Sequence, residues 1–97
     1  MNKIELFNAR NDGHTLTEGM TFVLVDVDTF ADTTKDGDPV EVVALKAESG
    51  EIYTTISGTI RSAVDDLRDI LNESPVTVKV ITAVSNSGRK YFRLSII

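Results

Sequence analysis

Three aromatic residues, Phe30, Tyr53 and Tyr91, fall on strand-like stretches whose same-face neighbours are polar. A planar ring on the outer face of a sheet can stack on an unpaired nucleobase, a contact worth about 1–3 kcal/mol per base. Each ring taken singly is also compatible with packing at the rim of a barrel. The positions therefore predict base stacking, with rim packing as the alternative.

Basic residues near these rings could neutralise the phosphates of a bound nucleic acid: Lys46, Lys79, Arg89, Lys90 and Arg93. The chain as a whole has a formal charge of −5, which by itself argues against such binding. The charge is unevenly distributed, however. Residues 1–74 carry six bases against all fifteen acids, giving −9, whereas residues 75–97 carry four bases and no acid, giving +4. We interpret this C-terminal region as a local positive field, although ordinary solvated charges would look the same.

Catalytic chemistry has few candidate residues. His14 is the only histidine and lies in a glycine-containing turn, where an exposed imidazole is expected. Asp26 and Asp28 alternate along a strand, which places their carboxylates on one face about 7 Å apart. Such a pair could serve a magnesium-dependent hydrolase, but no nucleophile or oxyanion donor accompanies it. We therefore predict no enzymatic activity and treat the pair as solvated charges.

Metal and cofactor sites are also not expected. The segment 32–38 begins like a calcium loop. The twelfth position counted from Asp32 is Val43, however, instead of the bidentate glutamate that such a loop needs. The chain has no cysteine, which excludes a disulfide framework and a cysteine-based zinc site. No glycine-rich phosphate loop precedes the helix-like stretch.

Length and composition predict a single domain, residues 1–97, with 41% hydrophobic and 26% charged residues. The N-terminal residues lack the apolar run of a signal peptide, and no segment approaches the roughly 18 apolar residues of a membrane span. We expect a protein of the cytoplasm with no membrane partner.

The order of predicted elements is strand, strand, strand, helix, strand, strand. The strand patterns cover residues 20–30, 39–48, 51–56, 76–81 and 91–96, and apolar residues at helical spacing cover 60–73. Ser57 or Thr59 is the predicted N-cap, and Pro75 ends the helix. This order is typical of an all-β, OB-fold-like five-stranded Greek-key barrel with one helix between strands 3 and 4.

The alternation within each strand predicts which side chains face the core. Phe92, Leu94 and Ile96 should point inward, and Tyr91 and Arg93 outward. The other aromatic residues, Phe7 and Phe22, also follow core positions, and residues 3–9 form an apolar lead-in for which no helix is predicted.

Several short motifs occur in an order that is similar to a known family. They are Phe7-Asn8-Ala9, Ser49-Gly50-Glu51-Ile52-Tyr53, Ile56-Ser57, Ala63-Val64-Asp65-Asp66-Leu67, Val78-Lys79-Val80, Ser87-Gly88-Arg89 and Phe92-Arg93-Leu94-Ser95. Together they resemble the single-stranded DNA-binding proteins of small tailed phages that replicate linear genomes by protein priming, the phi-twenty-nine type. Relatives in that family can carry a longer N-terminal segment and another aromatic residue where Thr33 and Thr34 stand here.

The resemblance implies sequence-independent coating and protection of single-stranded DNA that is displaced during phage replication. Family tyrosines associated with DNA match Tyr53 and, as an aromatic replacement, Phe30. Phage replication proteins are candidate further partners, and the oligomeric state is left open. The alternative is an OB-like protein–protein module, an adaptor or host-factor inhibitor, which the acidity of residues 1–74 would favour.

Overall fold

Six strands form one curled sheet in the computed structural model, which describes residues 1–97. The elements in chain order are α1 (Lys3–Asp12), β1 (His14–Thr15), β2 (Thr21–Thr33), β3 (Pro39–Ala47), β4 (Ile52–Thr55), α2 (Gly58–Ser62), α3 (Val64–Leu71), β5 (Val76–Val84) and β6 (Lys90–Ile96). The strand order is β1-β4-β3-β2-β5-β6. Strands make up 45% of the chain, so the mostly β class is confirmed, and the curl is consistent with an OB-like fold. None of the three helices is long and apolar enough to cross a membrane.

Strand β2 connects the two halves of the curl. Its first residues pair with β5 and the rest pair with β3, both antiparallel. The register shifts between Leu24 and Asp26, which leaves Val25 as an extra residue. Because such a bulge bends a strand and changes its alternation, both Leu24 and Val27 face the core. The regular alternation that the sequence suggested for this strand is therefore interrupted.

The core lies between the inner face of the sheet and the helical segment that follows β4. Ile60, Val64 and Leu67, at the spacing of a buried helical stripe, pack with strand residues such as Leu45 and Val80. This segment is not the single helix that was predicted. It is divided at Ala63, whose φ of −92° and ψ of −2° separate α2 from α3.

The two ends of the curled sheet approach each other where β4 leads into α2. Ser57 donates a hydrogen bond from its side-chain Oγ to the backbone oxygen of Phe92 in β6, at 2.7 Å. The N-cap position of α2 is indeed Ser57, but its side chain makes no capping bond to the helix. Its hydroxyl instead links the β4 end of the sheet to β6.

Helix α1 was not predicted, and the expectation of a single helix is wrong. Its start is a capping box: the Glu5 backbone N–H donates to Asn2 Oδ1 at 2.8 Å, and the Asn2 N–H donates to Glu5 Oε1 at 3.4 Å. Phe7, assigned to the core from its position in the sequence, is 67% exposed on this helix.

Helix α1 lies against the outer face of the sheet, over β3 and β4. It explains why Val42, Val43, Ala44 and Leu45 are all buried although consecutive residues point to opposite faces. Val43 and Leu45 face the core, whereas the other two lie on the side that α1 covers. A continuous apolar run of this kind is typical of a strand covered on both faces.

Candidate nucleic-acid interface

A groove of about 520 Å³ opens where the ends of the curled sheet meet. Its lining comes from α1, β2, the β4–α2 connection and β6, and includes Arg10, Phe30, Asp32, Ser57, Lys90 and Tyr91. We call this the seam groove. Its lining residues Asp32 and Lys90 lie at the ends of β2 and β6 that adjoin the β2–β3 and β5–β6 loops. The seam groove brings together three of the eight predicted binding residues, Phe30, Lys90 and Tyr91.

Of the three aromatic residues that line the seam groove, Phe30 and Tyr91 lie on the outer face of the sheet, and Phe92 packs against the core. Phe30 is opposite Val42 in the β2–β3 register, whereas its neighbour Thr29 is opposite the fully buried Val43. Tyr91 is opposite Ala83 in the β5–β6 register, and it alternates with inward-facing residues of β6. Both rings are half-buried. The predicted outward positions of these two side chains are confirmed.

The four basic residues of the C-terminal region have no carboxylate within 4 Å: Lys79, Arg89, Lys90 and Arg93. All four are exposed. Lys79 is opposite Ser95, and Arg93 is opposite Ile81, on the outer face of the β5–β6 hairpin. Because no internal ion pair neutralises them, their charge is available to an external anion such as a phosphate.

Lys46, the fifth predicted cation, is already paired. Its Nζ forms an ion pair with Glu5 of α1, and the side chains are 30% and 25% exposed. The hydrogen bond from Lys46, assisted by the backbone of Asn2, lowers the pKa of Glu5. Lys46 therefore lies beneath α1 and outside the seam groove.

The expectation that Tyr53 projects from the polar, outer face is wrong. Tyr53 is opposite Leu45 in the β3–β4 register and therefore shares the core-facing side. Its ring centroid is 4.8 Å from that of Phe22, and its hydroxyl donates to Glu51 at 2.7 Å. That hydrogen bond, with partial burial, raises the pKa of Tyr53. Alternation along a strand separates the two faces but does not identify the face that the core covers.

The Asp26–Asp28 pair is bound by cations of the protein itself. The amino group of Met1 contacts Asp26 at 2.7 Å and Asp28 at 3.5 Å, and Arg68 contacts Asp28 at 3.1 Å. The hydrogen bond to Asp26 is the largest cause of the raised pKa of that amino group. These carboxylates are thus not the free, solvated charges that were predicted.

Arg10 is a groove residue that the sequence did not reveal. Arg10 lines the seam groove, and its guanidinium lies 3.5 Å from Asp32, with the side chain 57% exposed. The Asn2-to-Glu5 capping pattern was the available signal for the helix that carries it. Even with that signal, the position of α1 over the sheet depends on contacts distant in sequence.

Comparisons with known proteins agree on one family. The family model described as Phage Single-stranded DNA-binding protein matches residues 1–97. Proteins named "Single-stranded DNA-binding protein" from Bacillus phage PZA and Bacillus phage phi29 are each 27% identical over 104 aligned positions, which cover 97% of this chain and 84% of the relative. No solved structure matches the chain.

Proposed function

We propose that this chain, which belongs to the Phage Single-stranded DNA-binding protein family, binds single-stranded DNA in the seam groove. Membership makes it a single-stranded DNA-binding protein of phage replication. Unpaired bases stack on Phe30 and Tyr91 in the seam groove, and the cations of the β5–β6 hairpin hold the phosphates. The observation that carries this proposal is the convergence of Phe30, Tyr91 and Lys90 on one groove beside unpaired cations.

Ring stacking accounts for the preference for single strands without a preference for sequence. Every base has a π-face that a ring can accept, whereas bases in a duplex are already stacked and paired. A dissociation constant on the order of micromolar corresponds to about 8 kcal/mol, of which two stacked bases contribute roughly 2–6 kcal/mol. The phosphate contacts supply the rest and also offset the cost of ordering the flexible strand. Four phosphate contacts correspond to a salt slope of about −3 on single strands.

The pairing pattern supports an OB-like barrel as the framework of this site. Strand β2 pairs with both β3 and β5, β4 follows β3, and β6 follows β5. We take the five long strands β2–β6 as the barrel and the two-residue β1 as an addition at its edge. Tyr53 remains a predicted DNA contact, but its place against Phe22 favours a packing role.

The biological role that fits these properties is coating of displaced strands during phage DNA replication. Sequence-independent stacking suits a protein that must cover any strand, and no catalytic step is needed. We place this activity in the cytoplasm of the infected cell, where other phage replication proteins are candidate partners. The family and its named relatives favour DNA over the protein–protein module that the acidic residues 1–74 suggested.

A titration with a fluorescent oligonucleotide tests the proposal. A poly-dT of about thirty nucleotides is longer than the roughly 4–16 nucleotides that one OB fold covers. Its binding is compared with binding of the same oligonucleotide in a duplex. Phe30→Ala and Tyr91→Ala should each weaken single-strand binding by about 1–3 kcal/mol. Phe7→Ala is the matched control, since Phe7 is an exposed ring outside the groove.

The outcomes separate the proposed site from the family function. Equal effects of Tyr91→Ala and Phe7→Ala would place the bound bases elsewhere on the protein. Duplex binding as tight as single-strand binding would contradict stacking as the source of affinity. Measurement at about 50 and 200 mM salt checks the slope, and hence the number of phosphate contacts.

A further inference from the structure

We propose that helix α1 is part of the DNA-binding site: Arg10 is a phosphate-binding residue, and the Glu5–Lys46 ion pair holds the helix that presents it. This inference rests on the proposed function and adds a wall to the seam groove. Arg10 is the residue of α1 that brings a positive charge to that groove, which Phe30, Lys90 and Tyr91 also line.

The Arg10 guanidinium has N–H donors that make no hydrogen bond within the protein. Its contact with Asp32 is long, 3.5 Å, and the same Asp32 oxygen accepts a shorter bond of 2.8 Å from the backbone N–H of Thr33. Arginine carries five N–H donors in a planar fork, which suits bidentate binding of a phosphate. An exposed, long ion pair contributes little to stability, so a phosphate can compete for Arg10 at low cost.

Apolar packing holds α1 only weakly. Ala9 is its one buried residue, while Ile4 and Phe7 are 72% and 67% exposed. An isolated helix of ten residues is marginal in water, so specific contacts must keep it docked. The helix therefore needs anchors at its two ends.

Those anchors are an ion pair at one end and a close backbone approach at the other. Glu5 in the first turn pairs with Lys46 of β3. At the C-terminal end, Gly13 lies so close to β4 that an added Cβ would be 2.7 Å from Thr54 Cγ2, and it would also clash with the backbone oxygen of Ala9. Between the two anchors, Arg10 lines the seam groove and contacts Asp32 there.

This arrangement gives Lys46 a different role from the phosphate contact predicted from the sequence. It acts on DNA through α1, as a positioning residue. The two roles predict opposite signs for one substitution. If Lys46 bound phosphate itself, Glu5→Gln would release it and strengthen DNA binding; if Lys46 positions α1, Glu5→Gln loosens Arg10 and weakens binding. Glutamine keeps the capping box, so the helix itself is preserved.

The first experiment removes the charge of Arg10. Arg10→Ala should weaken binding of the fluorescent poly-dT about tenfold, as expected for one charge-assisted contact, and make the salt slope shallower by about 0.7. Lys3→Ala is the matched control, because it removes the same charge from the same helix, whereas Lys3 is exposed, makes no ion pair and lies outside the groove. It should change affinity less than about twofold.

The second experiment loosens the anchor. Glu5→Gln should weaken binding and lower the salt slope as Arg10→Ala does, with Asp12→Asn as the control for removing an acid from α1. The variant that combines Arg10→Ala with Glu5→Gln should bind poly-dT no more weakly than Arg10→Ala alone, since both changes remove the same contact between Arg10 and a phosphate. Lys46→Arg should retain affinity and Lys46→Met should lose it.

Failure of this inference is distinguishable from failure of the proposed function. If the wild-type chain binds poly-dT and Tyr91→Ala weakens it, but Arg10→Ala behaves like Lys3→Ala, then only the role of α1 is overturned. Stronger binding by Glu5→Gln would also overturn it, because α1 would then be a competitor of DNA for Lys46. If the wild-type chain does not bind single strands, the proposed function itself falls.

Discussion

The hydrogen bond from Ser57 to the Phe92 oxygen links the two ends of the curled sheet, and its removal gives a sharp test of the fold. We expect Ser57→Ala to lower the free energy of unfolding by about 1 kcal/mol, the net value of a partly buried hydrogen bond whose acceptor is left behind. For a domain of this size, that corresponds to a melting temperature lower by roughly 4–8 °C. Thermal and urea unfolding followed by circular dichroism would measure both quantities.

Ser62→Ala is the matched control for this change. The Ser62 hydroxyl donates to the Gly58 oxygen within the same short helix, and it is exposed. Its loss should leave stability within about 0.5 kcal/mol of the wild type. Capping does not confuse the comparison, since the Ser57 side chain makes no capping bond to α2. Because Ser57 also lines the seam groove, the variant should bind poly-dT more weakly with an unchanged salt slope.

Equal melting temperatures for the two serine variants would refute the reasoning. Such a result would mean that the β4 and β6 ends are held by core packing alone, and that the 2.7 Å contact adds nothing to closure. A loss of stability in Ser57→Ala without any change in poly-dT affinity would keep the link but place the bound strand away from the seam.

Three further predictions concern packing and the docking of α1. Tyr53→Ala should destabilise the protein by about 2 kcal/mol in urea unfolding, because its half-buried ring packs on the core, while Tyr53→Phe should be nearly neutral; a neutral Tyr53→Ala would contradict the packing role. Glu5 has a lowered pKa, so its contribution to holding α1 is complete above its ordinary value of 4.5 and is lost as pH falls through the lowered value. Amide exchange of α1 should accelerate in that acidic range, and Lys46→Met should show the fast exchange already at neutral pH. Gly13→Ala should cost about 1–3 kcal/mol, because the new Cβ meets Thr54 at 2.7 Å; an unchanged melting temperature would show that α1 shifts freely.

Much of the fold was predictable because its signals are local. The β3–β4 hairpin turns at Gly50, whose φ of +96° suits glycine, and the β5–β6 hairpin turns at Gly88, with φ of +82°. The inward positions of Phe92 and Leu94 follow from alternation in β6 and agree with their packing on the core. Turn type and strand periodicity depend on residues that are adjacent in the chain, so both can be predicted directly from the sequence.

The features that were predicted wrongly from the sequence share a different origin. The β2 bulge, the packing of Tyr53 and the pairing of Lys46 all depend on which distant segment lies opposite. Helix α1 carried a local signal, its capping box, but its docking on the outer face did not. That docking explains both the exposure of Phe7 and the burial of β3 on two faces.

The sequence by itself determined the order of the five long strands with a helical segment between the third and the fourth, the two sets of alternating side chains in β5 and β6, and the positive charge of residues 75–97. Only the tertiary structure decided which face of β4 meets the core, which cation is consumed by an internal ion pair, and which helix borders the groove. The reason is physical: periodicity and charge are properties of a short stretch of chain. Burial and pairing arise only when strands and helices far apart in sequence are brought together.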